Sequence, residues 1–203
     1  MPRKTISRSP IKGHRMQQLR NLRQTFMIFT EGETEEGYFK QFKVRCKTVK
    51  GGHALKIVEE AIVQKKNLKR AYDQYWVVLD KDNTSVEDFL KAIQLAERNK
   101  MRVAYSCDAF EIWWLFHFMQ IKSPIPPKEY ERKIKIYIKE YSLRNKGLQQ
   151  GETMWLMLNE KLKTAIFNAK KAHNQFSSPK DAFNQSVTTV YQLAEILNNQ
   201  NRF

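Results

Sequence analysis

Residues 75–83 read YWVVLDKDN, in which five apolar or aromatic residues run directly into two aspartates separated by one lysine. Near-continuous apolar character is typical of a strand that is buried on both faces, as in a parallel sheet. Acidic residues that follow such a strand lie at the sheet edge where open parallel sheets place their ligands. The stretch therefore predicts a central strand whose carboxyl end places Asp80 and Asp82 where a ligand would bind.

Three further short apolar runs, at 26–30, 44–49 and 102–106, are strand candidates. Helix-period segments alternate with the strands and lie at 34–42, 53–66, 85–100 and 109–120. We therefore expect an α/β fold with a small four-stranded parallel sheet flanked by helices. With right-handed crossovers, the common strand order 2-1-3-4 makes the first and third strands neighbours.

The pattern divides the chain into three parts. Residues 1–24 form a basic arm that we expect to be mobile, although a solvated tail without a role is the alternative. Residues 25–120 contain the α/β pattern. Three prolines within 121–130 then introduce a basic helical region, 121–203, which we expect to pack on the α/β domain or to extend from it. Within it we expect helical stretches at about 128–141, 152–174 and 187–199, with a polar loop at 177–186.

The charge indicates the class of partner. A formal net charge of +15 with a pI near 9.8 favours a polyanion, above all a nucleic acid. A membrane surface is disfavoured because the basic residues are spread over several elements, and no apolar run approaches the ~20 residues of a spanning helix.

Two distant cysteines without CxxC spacing favour a reducing, cytoplasmic setting. An oligomer is compatible with the sequence.

Basic side chains that could hold a nucleic-acid backbone occur in the arm and in the α/β pattern. The candidates are Arg3, Lys4, Arg8, Lys12, Arg15, Lys56 and Arg102.

Carboxylates follow both strands that the predicted order makes neighbours. Glu31 follows the first strand and precedes Gly32, while Asp80 and Asp82 follow the third. In an extended chain, residues i and i+2 point to the same side, so the two aspartates can face one point beside Glu31. Close carboxylates repel, and a hard divalent cation such as Mg²⁺ or Mn²⁺ removes that cost. The set therefore predicts a metal site for phosphate chemistry.

Each acidic residue also has a purely structural explanation. Glu31 could cap the next helix, as could Glu33, Glu35 and Glu36, which we assign to a helix N-terminus. For Asp80 and Asp82 the structural explanation is an Asx turn in which Asp82 or Asn83 leads into the next helix. Placement at two adjacent strand ends favours the functional interpretation for Glu31, Asp80 and Asp82.

These residues carry a resemblance. Glu31-Gly32 after one apolar strand and DKD after another resemble the Toprim fold, in which a Glu and a DxD motif form a Mg²⁺ site for phosphodiester chemistry. More narrowly, four segments resemble the RloB-like (AbiLii-type) family of bacterial defence proteins: FTEGETEEGYF, YWVVLDKD, SCDAFEIWWLFHF and NQSVTTVYQLAEIL. The last segment departs from the family's usual pattern, because Gln185 stands where members usually carry proline.

The resemblance implies roles for individual residues. Glu31, Asp80 and Asp82 become metal ligands and catalytic candidates, and Glu111 becomes a fourth catalytic carboxylate or part of a second metal site. Glu111 could instead be a helix N-terminal acid or a buried paired carboxylate, and Asp108 is a weaker candidate of the same kind. His117 is expected to be a packed core histidine rather than a base, and the aromatic residues beside it are expected to pack.

The resemblance also implies a function. We expect a Mg²⁺-dependent Toprim-type nuclease that cleaves RNA or DNA, acting in antiviral defence by abortive infection with an ABC-type ATPase encoded nearby. The sequence has no GxxxxGK[ST] loop of its own. The alternative is a non-catalytic nucleic-acid-binding or sensor subunit of the same kind of system, which would explain the charge equally well.

Overall fold

A four-stranded, fully parallel sheet organises the computed structural model, which describes residues 24–200. The strands are β1 (Phe26–Thr30), β2 (Arg45–Thr48), β3 (Gln74–Asp80) and β4 (Arg102–Ser106). Their order is β2-β1-β3-β4, which confirms the predicted α/β class and the predicted adjacency of β1 and β3. The carboxyl ends of all four strands therefore lie on the same side of the sheet.

Helices alternate with the strands and continue after them. The first four are α1 (Glu33–Lys40), α2 (Ala54–Lys66), α3 (Val86–Arg98) and α4 (Glu111–Phe116). The C-terminal region contains α5 (Tyr130–Lys135), α6 (Leu148–Leu158), α7 (Leu162–His173), α8 (Pro179–Ala182) and α9 (Val190–Gln200). Within residues 24–200, no helix has the length and apolar character needed to cross a membrane.

Several predicted elements differ from the structure. The helix expected over 109–120 has regular α-helical geometry only over the six residues of α4. The helical stretch expected over 152–174 is two helices, α6 and α7, separated by a 3₁₀ turn at Asn159–Lys161. A short helix, α8, interrupts the stretch expected to be a polar loop, because Ser178 caps it by accepting a hydrogen bond from the Asp181 N–H.

The core explains why the central strands are apolar throughout. Every residue of β1 is buried, as are Trp76, Val77, Val78 and Leu79 of β3, because helices cover both faces of the sheet. Tyr38 lies at the centre of an aromatic cluster with edge contacts to Phe110 and Trp114. The aromatic residues of α4 are therefore packing residues, as the sequence predicts.

The C-terminal region packs against the outer edge of β4. The Thr189 N–H donates to the Tyr105 carbonyl at 2.7 Å, and the Cys107 N–H donates to the Val187 carbonyl at 3.0 Å. These bonds flank an antiparallel bridge between Ser106 and Thr188. The segment thereby covers the carboxyl end of the outer edge of β4, where exposed backbone groups would otherwise be free to pair with another chain.

Gln185, which departs from the pattern of the family that the sequence resembles, has a structural role. Its N–H donates to the Ala182 carbonyl at 2.9 Å as the chain leaves α8. Proline has no N–H and cannot make this bond.

Glycines hold α6 unusually close to α1. A Cβ atom added at Gly151 would lie 1.9 Å from the Thr34 carbonyl oxygen, and one added at Gly37 would lie 2.1 Å from the Leu148 carbonyl oxygen. Neither position leaves room for a side chain, so the two helix backbones are in direct contact. This contact fixes the start of α6 beside the start of α1.

We therefore expect Gly151→Ala to destabilise the protein, although alanine is the better helix former by up to about 1 kcal/mol. The added methyl must push α6 away from α1, at an expected cost of about 1–3 kcal/mol in the free energy of unfolding. Urea denaturation would measure the change. Glu152→Ala, at the neighbouring exposed position of α6, is the matched control and should change the value by less than about 0.5 kcal/mol. A Gly151→Ala protein as stable as the control would contradict the proposed backbone contact.

Candidate active site

Glu31 and Asp80 meet because β1 and β3 are neighbours. The Asp80 N–H donates to Oε2 of Glu31 at 3.2 Å, which holds the Glu31 side chain across the carboxyl ends of the two strands. Burial raises the pKa of Glu31, and the nearby charge of Asp82 raises it further. The structure thus brings together the two carboxylates that the sequence places at adjacent strand ends.

Asp80 has one anchored and one unpaired carboxylate oxygen. Oδ2 accepts a hydrogen bond from the Phe110 N–H at 3.1 Å, just before α4 begins. Oδ1 is shielded from solvent and has no hydrogen-bond partner among residues 24–200. Burial raises the pKa of Asp80 well above its ordinary value, and the charges of Glu35, Glu111 and Glu31 add to the increase. Asp80 is therefore the centre of the acidic group.

Glu35 belongs to this site, although its position in the sequence predicts an ordinary acid at a helix N-terminus. Its side chain is buried, with 7% of its surface exposed. Burial raises its pKa to about 7, with further contributions from Glu111 and Glu31. Helical spacing could have indicated that Glu35 is buried. Glu35 lies three residues before Tyr38 and four before Phe39, so it shares their buried face of α1.

Gly32 leaves the space that the Glu35 carboxylate occupies. A Cβ atom added at Gly32 would lie 2.4 Å from Oε2 of Glu35. A side chain at position 32 would therefore displace the Glu35 carboxylate. Glycine therefore allows close approach here, and its φ of −116° is one that other residues also adopt.

Glu111 begins α4 and faces the same group of carboxylates. Burial raises its pKa, and the charge of Lys146 opposes this increase. Because the Phe110 N–H anchors Asp80, the start of α4 places Glu111 near Asp80 and Glu35. The family resemblance placed Glu111 in the site, and the structure locates it beside Asp80.

Asp82 reaches the site by a route that differs from the prediction. The expected extended backbone through Asp82 is wrong, because β3 ends at Asp80 and Asp82 has a positive φ of 40°. A turn follows the strand, in which the Thr84 N–H donates to the Lys81 carbonyl at 2.8 Å. Asp82 is exposed but still lines one cavity with Glu31 and Asp80.

Asp80 lies at the junction of two cavities. The first, of about 450 Å³, is lined by Glu31, Asp80 and Asp82 together with the start of α3. The second, of about 330 Å³, is lined by Asp80 with Glu35, Glu111 and Lys146. The acidic residues therefore form two sets that share Asp80.

The donor chemistry fits a hard divalent cation. Oδ1 of Asp80 lacks a partner within residues 24–200, and the surrounding carboxylates repel one another. Mg²⁺ commonly takes one or two carboxylates and keeps several waters, so it does not require a cage made only of protein ligands. As the side chains stand, residues 24–200 contain no group of three or more His, Cys, Asp or Glu side chains arranged to hold a metal ion.

Of the predicted basic residues, the two that lie within residues 24–200, Lys56 and Arg102, line neither cavity. Lys56 is exposed on α2 and pairs with Glu59 at 2.7 Å. Arg102 begins β4, and its guanidinium lies 4.2 Å from the centre of the Trp76 ring. Because Arg102 is the first residue of β4, it lies at the opposite end of that strand from the carboxylates. The remaining candidates lie outside the described residues: Arg3, Lys4, Arg8, Lys12 and Arg15.

Lys146 is a basic residue of the site that the sequence did not single out. It comes from the segment between α5 and α6, and its charge lowers the pKa values of Glu35 and Glu111. No local motif marks it, because its approach to the site depends on how α6 packs on α1.

The two weaker candidates have structural partners. Asp108 accepts a hydrogen bond from the Tyr130 hydroxyl at 3.1 Å. His117 is buried, with Nδ1 2.9 Å from the Trp113 carbonyl oxygen, and burial lowers its pKa to about 4. The interpretation of His117 as a packed core histidine is thus favoured over a role as a base.

The family model for RloB-like protein matches residues 26–197. The chain belongs to the RloB-like family. The match begins at β1 and ends within α9, so it covers both the sheet and the C-terminal helices of this chain. Searches of curated proteins and of solved structures returned no match.

We expect Glu35 to make stability depend on pH. Between pH 4.5 and about 7 the folded RloB-like chain retains a proton that the unfolded chain has released, so the free energy of unfolding falls as pH rises. Glu35→Gln should equal the wild type near pH 4.5 and exceed it at pH 8 by up to about 3 kcal/mol, since each pKa unit is worth about 1.4 kcal/mol.

Urea denaturation between pH 4.5 and 8 in the presence of a chelator would measure this difference. Glu33→Gln, an exposed position on the first turn of the same helix, is the control, and its curve should follow the wild type. If the free energy of unfolding of Glu35→Gln changed with pH as that of the wild type does, the raised pKa of Glu35 would be contradicted.

Proposed function

We propose that the chain is a Mg²⁺-dependent or Mn²⁺-dependent nuclease of the Toprim class, which hydrolyses phosphodiester bonds in RNA or DNA. The observation that carries this proposal is Asp80. One of its oxygens is anchored by a backbone N–H, and the other has no partner within residues 24–200. It also stands between two cavities lined by acidic side chains.

Glu31, Asp80 and Asp82 would hold the cation, because they line one cavity at the carboxyl ends of the central strands. When bound, the cation supplies a Lewis acid that polarises a phosphoryl oxygen and lowers the pKa of a coordinated water. The Asp80 N–H orients Glu31, and the Phe110 N–H orients Asp80. Two of the three carboxylates are thus held by backbone N–H groups before any ligand arrives, and fixed groups of this kind favour electrostatic catalysis.

Glu35 and Glu111 have a different role in this proposal. With a pKa of about 7, the Glu35 carboxyl can exchange a proton at neutral pH with a water in the adjoining cavity. Glu111 lines the same cavity and helps to keep that pKa high through its charge. Lys146 offers a positive charge at this cavity for a phosphate.

The net charge of +15 supports a nucleic acid as the substrate. An acidic site alone would repel a polyanion, whereas the Lys and Arg residues of the chain would attract it by releasing counterions from the phosphates. The acidic site and the basic composition are compatible when a cation neutralises the carboxylates.

Family membership supports a biological setting. We propose that the chain is the effector of a bacterial anti-phage defence system of the abortive-infection (AbiLii) type, acting in the cytoplasm with an ABC-type ATPase encoded nearby. The sequence contains no P-loop motif, so a separate subunit would hydrolyse ATP.

The second candidate is a non-catalytic nucleic-acid-binding or sensor subunit of such a system. One observation favours it: within residues 24–200, no three metal-binding side chains are already grouped to hold an ion. The basic composition suits this role equally well.

We expect the wild type to cleave at least one of four substrates, single-stranded or duplex RNA or DNA, with Mg²⁺ or Mn²⁺ and not with a chelator. Asp80→Asn should lower the rate by about a hundredfold or more, the scale on which loss of one group that stabilises developing charge acts. Glu97→Gln removes an exposed carboxylate near the C-terminal end of α3 and is the matched control.

Gel analysis of labelled substrates would measure the rates. Cleavage that persists in Asp80→Asn would exclude the proposed catalytic site. Salt-sensitive binding without cleavage by the wild type, with and without the ATPase partner, would favour the second candidate.

A further inference from the structure

A third cavity, of about 590 Å³, lies between α6 and the segment 138–146 that precedes it. It shares four lining residues with the cavity of Glu35 and Glu111, namely Tyr141, Asn145, Lys146 and Gln150. The two cavities are therefore neighbours with a common wall. We call the larger one the α6 groove.

The floor of the α6 groove is apolar. Ile138, Tyr141 and Met154 line it and are buried, with at most 8% of each surface exposed. Apolar and aromatic surface of this kind accepts the flat face of a nucleobase without leaving a buried polar group unpaired.

The walls carry amide side chains. Asn145, Gln149 and Gln150 line the groove, and each amide offers both hydrogen-bond donors and an acceptor. Base edges present donors and acceptors in mixed patterns, which amides can match in a bidentate way. The walls are therefore suited to reading a base edge rather than a uniformly charged ligand.

The basic residues of the groove are exposed. Arg144 and Lys146 line it, and Lys146 also lines the acidic cavity. Glu140 is an exposed acid at the same groove. A phosphate held by Arg144 and Lys146 would thus lie between the α6 groove and the carboxylates.

We propose that the α6 groove binds one unstacked nucleotide adjacent to the phosphate that is cleaved, so that the substrate is a single-stranded or locally unpaired nucleic acid. This inference rests on the proposed nuclease function and specifies its substrate. A volume of about 590 Å³ lies within the range of small-ligand pockets, whereas a base that stays paired and stacked cannot enter a recess of this size. Single strands present unstacked bases at the lowest cost.

Two sets of variants test the proposal. Arg144→Gln removes the proposed phosphate contact, and its control is Lys163→Gln, an exposed lysine on α7. The double variant Gln149→Glu with Gln150→Glu keeps side-chain size and helix propensity but removes the amide donors, and its control is Gln94→Glu on the exposed surface of α3. Thermal melting of the full chain would establish that each variant is folded.

Binding is measured first, with fluorescent single-stranded and duplex oligonucleotides of one sequence, in Ca²⁺ at several salt concentrations. We expect the single strand to bind more tightly than the duplex. Arg144→Gln should weaken binding and reduce the slope of log affinity against log salt by about 1, while Lys163→Gln should leave the slope unchanged. Equal or tighter binding of the duplex, or an unchanged slope in Arg144→Gln, would overturn the proposal.

Base preference is measured second, by sequencing the members of a random single-stranded library that the protein retains. We expect a preference at one position that the double glutamate variant reduces by about fivefold or more, as loss of a bidentate base contact predicts, and that Gln94→Glu retains. A preference that survives in the double variant would contradict the α6 groove as its source.

The binding assays do not depend on cleavage, so the two proposals fail separately. A wild type that binds with this pattern but never cleaves would refute the nuclease and keep the groove as a nucleotide site. A wild type that cleaves by means of Asp80, with a base preference that the groove variants do not change, would refute the groove and keep the nuclease.

Discussion

The hydrogen bond from the Phe110 N–H to Oδ2 of Asp80 is the interaction on which the site depends. It joins the end of β3 to the start of α4, so that the central strand and the helix that carries Glu111 are fixed relative to each other. The bond also occupies one carboxylate oxygen and leaves Oδ1 without a partner among residues 24–200. Asp80 is therefore anchored through one oxygen and unsatisfied at the other, which is a costly state for a purely structural residue.

The cost is tolerated because the rest of the fold is well packed. Burial and mutual repulsion raise the pKa values of Asp80, Glu35 and Glu111, and each increase disfavours the charged form in the folded state. Against this stand the buried strands β1 and β3 and the aromatic cluster around Tyr38. Unfavourable electrostatics are thus confined to the carboxyl ends of the strands, while the rest of the structure is well packed. This pattern is expected of a functional site.

The sequence predicted what depends on local periodicity and general topology. The alternation of strands and helices was sufficient to predict the parallel sheet. It also predicted that Glu31 and Asp80 lie close together, because crossover handedness restricts the strand order and makes β1 and β3 neighbours. It failed at Asp82, where a turn with positive φ replaces the extended chain, since the DKD motif does not specify the backbone after the strand. It also missed Glu35, whose burial requires Gly32 to leave space for the carboxylate, and Lys146, whose position depends on tertiary packing.

That packing makes the C-terminal helices part of the site. One face of α1 buries Glu35, and the backbone of the same helix contacts α6 at Gly37 and Gly151. The Gly147 N–H donates to Oγ1 of Thr34 at 3.1 Å, which ties the residue after Lys146 to the first turn of α1. Movement of α6 would therefore shift Lys146 relative to Glu35 and open the wall that the acidic cavity shares with the α6 groove. The strands and the helices next to them supply the carboxylates, but α6 and the segment before it determine which basic and amide side chains face them.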